Sequence, residues 1–222
     1  VGNIVTDGLK FAMDAGKLVS YESGSTTMYS MTGSLSGTLN NGTGYSNLNG
    51  GTFVFDGTDD YISTETFDMG TPTDITLECW IRFNGTLDSN DRKVMHYDKT
   101  GTTNAVFQLR KGTSDSRLMY QAHNGSQWYT MTDVDAIEAD TWAHFIITHA
   151  GTSAIMYKNG IQAATATMGN LDWTNANNLL IGYRAASEYW KGNIALMKIY
   201  DRALSPKEVQ QNYIAHKARF SS

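Results

Sequence analysis

The 222-residue sequence predicts an all-β sandwich or barrel closed by one short C-terminal helix. Three observations carry this. Short runs of alternating apolar and polar residues recur along the chain, as in half-buried strands. Five Asn-Gly pairs (at Asn41, Asn49, Asn84, Asn124 and Asn159) and two Asp-Gly pairs (at Asp7 and Asp56) punctuate the runs. Such dipeptides suit the positive φ of tight turns. Finally, Ser205-Pro206-Lys207-Glu208 is a helix start, with Ser205 as N-cap, Pro206 at the first helical position and Glu208 placed to reach back to the cap.

In chain order, Leu9–Met13 is a short apolar run whose natural partner is a later strand. Residues 23–52 are rich in Gly, Ser, Thr and Asn and read as ordered surface loops within one domain, because the flanking segments read as strands. Strands are then expected over Thr52–Ile62, Ile75–Phe83, Ala105–Arg110, Arg117–Ala122, Ala143–His149, Ala154–Lys158 and Ile194–Tyr200. In Ile75–Phe83, alternation sends Cys79 inward with Ile75, Leu77, Ile81 and Phe83, and sends Thr76, Glu78, Trp80 and Arg82 to an outer surface. Glu78 and Arg82 are expected to pair there across solvent. The helix is expected over about 206–216, and a single domain spans 1–222.

Composition narrows the function. Cys79 is the only cysteine, so no intrachain disulfide forms. Net charge is −5 without any Lys/Arg cluster, which argues against nucleic-acid binding. No apolar run reaches the roughly 18 residues of a membrane span. The first residues, Val1-Gly-Asn-Ile-Val-Thr-Asp, lack a signal-peptide pattern.

Several motifs in series now carry a resemblance. They are Phe53-Val-Phe-Asp-Gly-Thr-Asp-Asp-Tyr-Ile62, Ile75-Thr-Leu-Glu-Cys-Trp-Ile81, Trp142-Ala-His-Phe-Ile-Ile-Thr148, Met156-Tyr-Lys-Asn-Gly160 and Gly192 through Ser205. In this order they resemble laminin G-like, concanavalin A-like jelly-roll domains. The resemblance implies a two-sheet antiparallel jelly-roll sandwich. Gly8-Leu-Lys-Phe-Ala-Met-Asp14 and Asn212 through Phe220 are similar to single-domain members found on tailed-bacteriophage virions and tail fibres.

Family hydrolases carry Glu-x-Asp-x-x-Glu or Glu-x-Asp-x-Glu on one strand, and no such run exists here. A non-catalytic module is expected. Sugar sites combine aromatic faces with amides and charged groups. The candidates are Asn124, Trp128 and Tyr129 in one hairpin, Trp173 in a loop, and Arg184, Glu188 and Trp190 in another. Trp190 also stands where the family keeps a large packing residue. Trp80 and Trp142, in strand motifs, are expected to be structural. Asp56 and Asp59, with Asp60, form an acidic turn in which the resemblance implies a structural Ca²⁺. The expected partners are a glycan or other virion proteins, with a homo-oligomer possible through open sheet edges. The expected setting is a virion surface or another extracellular place.

Overall fold

The computed structural model describes residues 3–102, 104–113, 116–185 and 187–221. Among these, the chain begins with β1 (Leu9–Asp14), β2 (Thr27–Tyr29), β3 (Ser36–Asn40), β4 (Gly44–Ser46) and β5 (Thr52–Asp56). It continues through β6 (Tyr61–Thr66), β7 (Asp74–Phe83), β8 (Arg92–Lys99), β9 (Ala105–Lys111), β10 (Arg117–His123) and β11 (Trp128–Ala136). Then follow β12 (Trp142–Ala150), β13 (Ser153–Lys158), β14 (Ile161–Thr167), β15 (Ala176–Ile181), β16 (Lys191–Tyr200) and the helix α1 (Pro206–Lys217).

The strands form two antiparallel sheets. The first runs β14-β13-β12-β7-β16-β5-β4, with β1 also paired to β16. The second runs β11-β10-β9-β8-β15-β6-β3-β2. The expected partner of Leu9–Met13 is therefore the last strand, and the 23–52 segment supplies three short strands as well as loops. The expected Thr52–Ile62 run breaks at Asp56-Gly57 into two strands that go to different sheets.

Period-2 alternation aims one face of each sheet at the other. Phe11, Phe53, Ile75, Leu77 and Phe145 from the first sheet meet Ile62, Met95, Phe107, Leu109, Tyr120 and Leu179 from the second, all fully buried. Each such side chain contributes about 1.5–3 kcal/mol by leaving water. Cys79 lies in this core, where burial pushes its thiol well above the ordinary range. At Gly192, a Cβ would sit 2.0 Å from the Arg82 carbonyl oxygen, so only glycine lets β16 approach β7 there.

The outer face of the first sheet departs from expectation. Glu78 is not at a solvated surface, because α1 lies over it and leaves it fully buried. Its carboxylate accepts hydrogen bonds from Lys198 Nζ at 2.7 Å and Asn212 Nδ2 at 2.7 Å, and His144 Nε2 lies 3.2 Å away. Arg82 pairs with Asp140 at 2.8 Å, not with Glu78. Trp80 stacks on Phe220 at 4.2 Å between ring centroids, in the 3₁₀ turn after α1.

The helix is held at its start by the predicted cap. Glu208 N–H donates to Ser205 Oγ at 3.4 Å, and Ser205 N–H donates to Glu208 Oε2 at 2.8 Å. Arg202 adds a two-pronged contact to the same carboxylate, at 2.6 and 3.0 Å.

Candidate ligand-binding groove

Among the described residues no helix covers the outer face of the second sheet, and its polar residues line up across four strands. Register sets His96 of β8 opposite Gln108 of β9, Gln108 opposite Gln121 of β10, and Gln121 opposite Thr130 of β11. Because alternation sends their neighbours Tyr97, Phe107, Leu109, Tyr120 and Met131 into the core, these polar residues share the outer face. One step along, Arg110 sits opposite Lys93, and Trp128 sits opposite His123.

Together they line a groove of about 240 Å³ bounded by Asp91, Lys93, Gln108, Arg110, Gln121, Trp128 and Arg184. The floor is hydrogen-bonded into one piece. Gln121 Oε1 accepts from Gln108 Nε2 at 2.6 Å and from Arg110 Nε at 2.8 Å, while Gln121 Nε2 donates to Thr130 Oγ1 at 2.8 Å. Asp91 Oδ2 accepts from Lys93 Nζ at 2.8 Å and from Arg110 at 2.7 Å. At the rim, Glu188 lies 3.7 Å from Lys93 and 3.8 Å from Arg184. Trp128 is half-buried and meets His123 edge to face, at 5.1 Å between centroids.

Burial holds the Lys93 ammonium below its ordinary range, opposed by Asp91 and Glu188. Burial also lowers His96, partly offset by Asp98, so this imidazole is neutral at pH 7. Such a surface offers amide and guanidinium groups for hydroxyls and an indole for an apolar ring face. Asp91 and Glu188 are both engaged by cations.

Of the residues singled out in the sequence, the structure brings Trp128, Arg184 and Glu188 to this groove. The four other sugar-site candidates lie elsewhere. Trp190 is fully buried and meets Phe83 edge to face at 5.7 Å, so it cannot touch a ligand. Tyr129 points inward, its ring against Gly169, where an added Cβ would lie 2.4 Å away. Asn124 spends its side-chain oxygen on the amides of Ser126 and Gln127, at 3.0 and 2.9 Å, and so shapes the turn. Trp173 lines a separate cavity among strand-end loops. Trp142 is half-buried and donates to Asn49 at 3.0 Å. Gln108, Arg110 and Gln121 carry much of the groove, yet in sequence they register only as strand residues that are not carboxylates.

The acidic turn is compact, with carboxylate oxygens of Asp56, Asp59 and Asp60 within 4.8 Å of one another. Asp56 Oδ1 accepts from the amides of Thr58 and Asp59, and Asp60 Oδ2 accepts from the amide of Asp56. The Asp60 carboxyl is pushed up by burial, then by the neighbouring charges of Asp56 and Asp59. A hard divalent cation would relieve that repulsion, and the donor set is all oxygen, so the residues fit Ca²⁺. Bound there, it would brace the β5–β6 turn.

Two facing antiparallel sheets, one capped by a helix and one bearing a polar groove with an aromatic wall, define a lectin-like jelly-roll sandwich. The chain belongs to the Concanavalin A-like lectin/glucanases superfamily, whose family model matches residues 56–210. No curated protein matches it in sequence. Solved structures share the fold. The binding domain of Paraclostridial Mosquitocidal Protein 1 superposes with a TM-score of 0.73 at 16% identity, over 94% of this chain and 52% of that one. Domain 4 of AbnA, a GH43 extracellular arabinanase from Geobacillus stearothermophilus in complex with arabinotriose, gives 0.69 at 17%, over 92% and 98%. The botulinum neurotoxin serotype D binding domain gives 0.74 at 12%, over 94% and 52%. The chain thus spans about half the length of the first and third of these. No helix among the described residues is long and apolar enough to cross a membrane.

Proposed function

We propose that this chain is a non-catalytic carbohydrate-binding module whose groove over β8–β11 holds one sugar unit of a glycan. The carrying observation is the half-buried Trp128 indole beside the tied floor of Gln108, Arg110 and Gln121. An indole covers the apolar face of a pyranose while amides and a guanidinium bond its hydroxyls. The floor side chains are already ordered by one another, so little entropy is lost on binding. The likeness in fold to an arabinanase domain bound to arabinotriose and to toxin binding domains supports the reading.

The test is a broad glycan array, run with Ca²⁺ and again with EDTA. Binding that disappears with Trp128→Ala and with Gln121→Ala is the expected result. Silence from folded protein in both conditions would sink the proposal.

The setting we propose is a virion or another extracellular surface, the virion resting on the likeness of the two chain ends. A second reading, a structural protein packed against other virion proteins or further copies, draws on exposed apolar side chains. Leu18 and Val19 are 83% and 71% exposed, with Tyr29 and Met31 close by through the Tyr29–Ser20 backbone hydrogen bond. That reading predicts concentration-dependent association in sedimentation, abolished by Leu18→Asp with Val19→Asp.

A further inference from the structure

A second cavity, of about 500 Å³, opens among the loops that join β6 to β7, β12 to β13 and β14 to β15. It is distinct in chemistry from the groove. Its walls are Trp173, Pro72, Thr71, Thr73, Asn170 and Thr174, with no charged side chain among them. Its volume falls within the range of about 300–1,000 Å³ common for small-molecule sites.

The cavity is also built, not a gap between loose loops. Trp173 Nε1–H donates to the Pro72 carbonyl at 2.9 Å, joining two of the loops. The same indole meets buried Tyr97 edge to face, at 5.6 Å and 83°. Asp172, beside it, accepts from the amide of Thr174 at 3.0 Å and forms an ion pair with the buried Lys99. The third loop is tied by Gly151, whose amide donates to Asp74 and whose carbonyl oxygen lies 3.0 Å from His149 Nε2. The indole is therefore held in one orientation before any ligand arrives.

Most of the polar wall is the reverse, since it is unspent. Thr71, Thr73 and Asn170 are exposed and none of their side chains makes a hydrogen bond among the described residues, whereas the hydroxyl of exposed Thr174 is spent on the Asp172 carboxylate. Two hydroxyls and one amide can each donate and accept. A fixed aromatic wall with uncharged groups of both senses matches a ring having one apolar face and several hydroxyls. It gives no counter-ion for a carboxylate or an ammonium, whose desolvation would go uncompensated.

We propose that this loop cavity is a second carbohydrate site, selective for a neutral pyranose or furanose unit over an acidic one. It does not depend on the groove. The test uses amide chemical-shift mapping by NMR with methyl glycosides of glucose, galactose, mannose, N-acetylglucosamine and arabinose, and with methyl glucuronide as the acidic probe. Titrations are run on the wild-type chain and on Trp128→Ala, so failure of the groove and failure of the loop site separate.

At least one neutral glycoside is expected to shift the amides of residues 70, 71, 73, 74 and 170–174 equally in both proteins. Asn170→Ala combined with Thr73→Val, both at exposed positions, is expected to weaken it by about ten-fold or more, the worth of one or two hydrogen bonds. The proposal is overturned if none of the neutral glycosides moves those amides, if the double variant binds as well as the parent, or if the glucuronide binds there as tightly.

Discussion

The Glu78 carboxylate and the Lys198 ammonium meet at 2.7 Å with both side chains out of solvent, beneath the C-terminal helix. The pair sits where four elements converge, since His144 of β12 and Asn212 of α1 reach the same carboxylate. Asn212 also accepts from the Val5 amide at 2.8 Å and donates to the Tyr200 hydroxyl at 2.9 Å, so one cluster ties both chain ends to the sheet. Lys198→Met is expected to lower stability by about 3–5 kcal/mol, because it strands a buried carboxylate. Glu78→Leu with Lys198→Met removes both charges and is expected to recover much of that loss. Urea denaturation checks both. A single variant as stable as the parent would refute the role given to the pair.

Acid should loosen the same region. His216 is held down to about 4, by burial first and then by Lys198, whose Nζ lies 3.4 Å from its Nε2. Arg219 pushes the same way, while Glu78 and Asp14 oppose. His144 is likewise lowered by burial, against the pull of Glu78. In the unfolded chain these imidazoles take protons near 6.5. The folded state therefore binds fewer protons between about 6.5 and 4, and stability falls as pH drops through that window. Thermal midpoints measured from pH 7.5 to 4 are expected to decline, with a shallower slope for His216→Gln. An unchanged slope would remove His216 from the explanation.

Sequence pattern reached the fold further than it reached the groove. Alternation in Ile75–Phe83 correctly set Cys79 inward and Glu78 outward, but outward is a statement about the sheet alone. Whether that face meets water or α1 depends on where residues 206–217 return, which is a tertiary contact. The groove failed for a similar reason. Gln108 and Gln121 lie in separate runs, and only strand register sets them opposite each other. Their shared polarity at outward positions was the available signal. Trp128 and Trp190 show the limit from the other side. Both lie beside loops in sequence, yet one lines a groove and the other fills the core.

The acidic turn yields a metal prediction. If Ca²⁺ binds Asp56, Asp59 and Asp60, it stabilises the folded chain by mass action. The expected outcome is a thermal midpoint several degrees higher in millimolar Ca²⁺, reversed by EDTA and absent in Asp59→Asn. Asp56→Asn is the less selective variant, since its carboxylate also organises the turn through the amides of Thr58 and Asp59. Identical midpoints with Ca²⁺ and EDTA would rule the site out.

Two tryptophans should part stability from binding. Trp190 is wholly buried against Phe83, so Trp190→Ala leaves a large cavity and is expected to cost about 3–5 kcal/mol. Trp128 is half-buried on an outer face near the end of the sheet, so Trp128→Ala should shift stability by less than about 1 kcal/mol. Against a glycan found on the array, the same Trp128→Ala change is expected to weaken binding by about ten-fold or more, the loss of one aromatic stacking contact. Denaturation curves and calorimetric titrations of the two variants separate these effects. If Trp190→Ala binds poorly only because it is partly unfolded, lower temperature restores its affinity, whereas Trp128→Ala stays weak at every temperature. Full affinity in folded Trp128→Ala would move the sugar site off this groove.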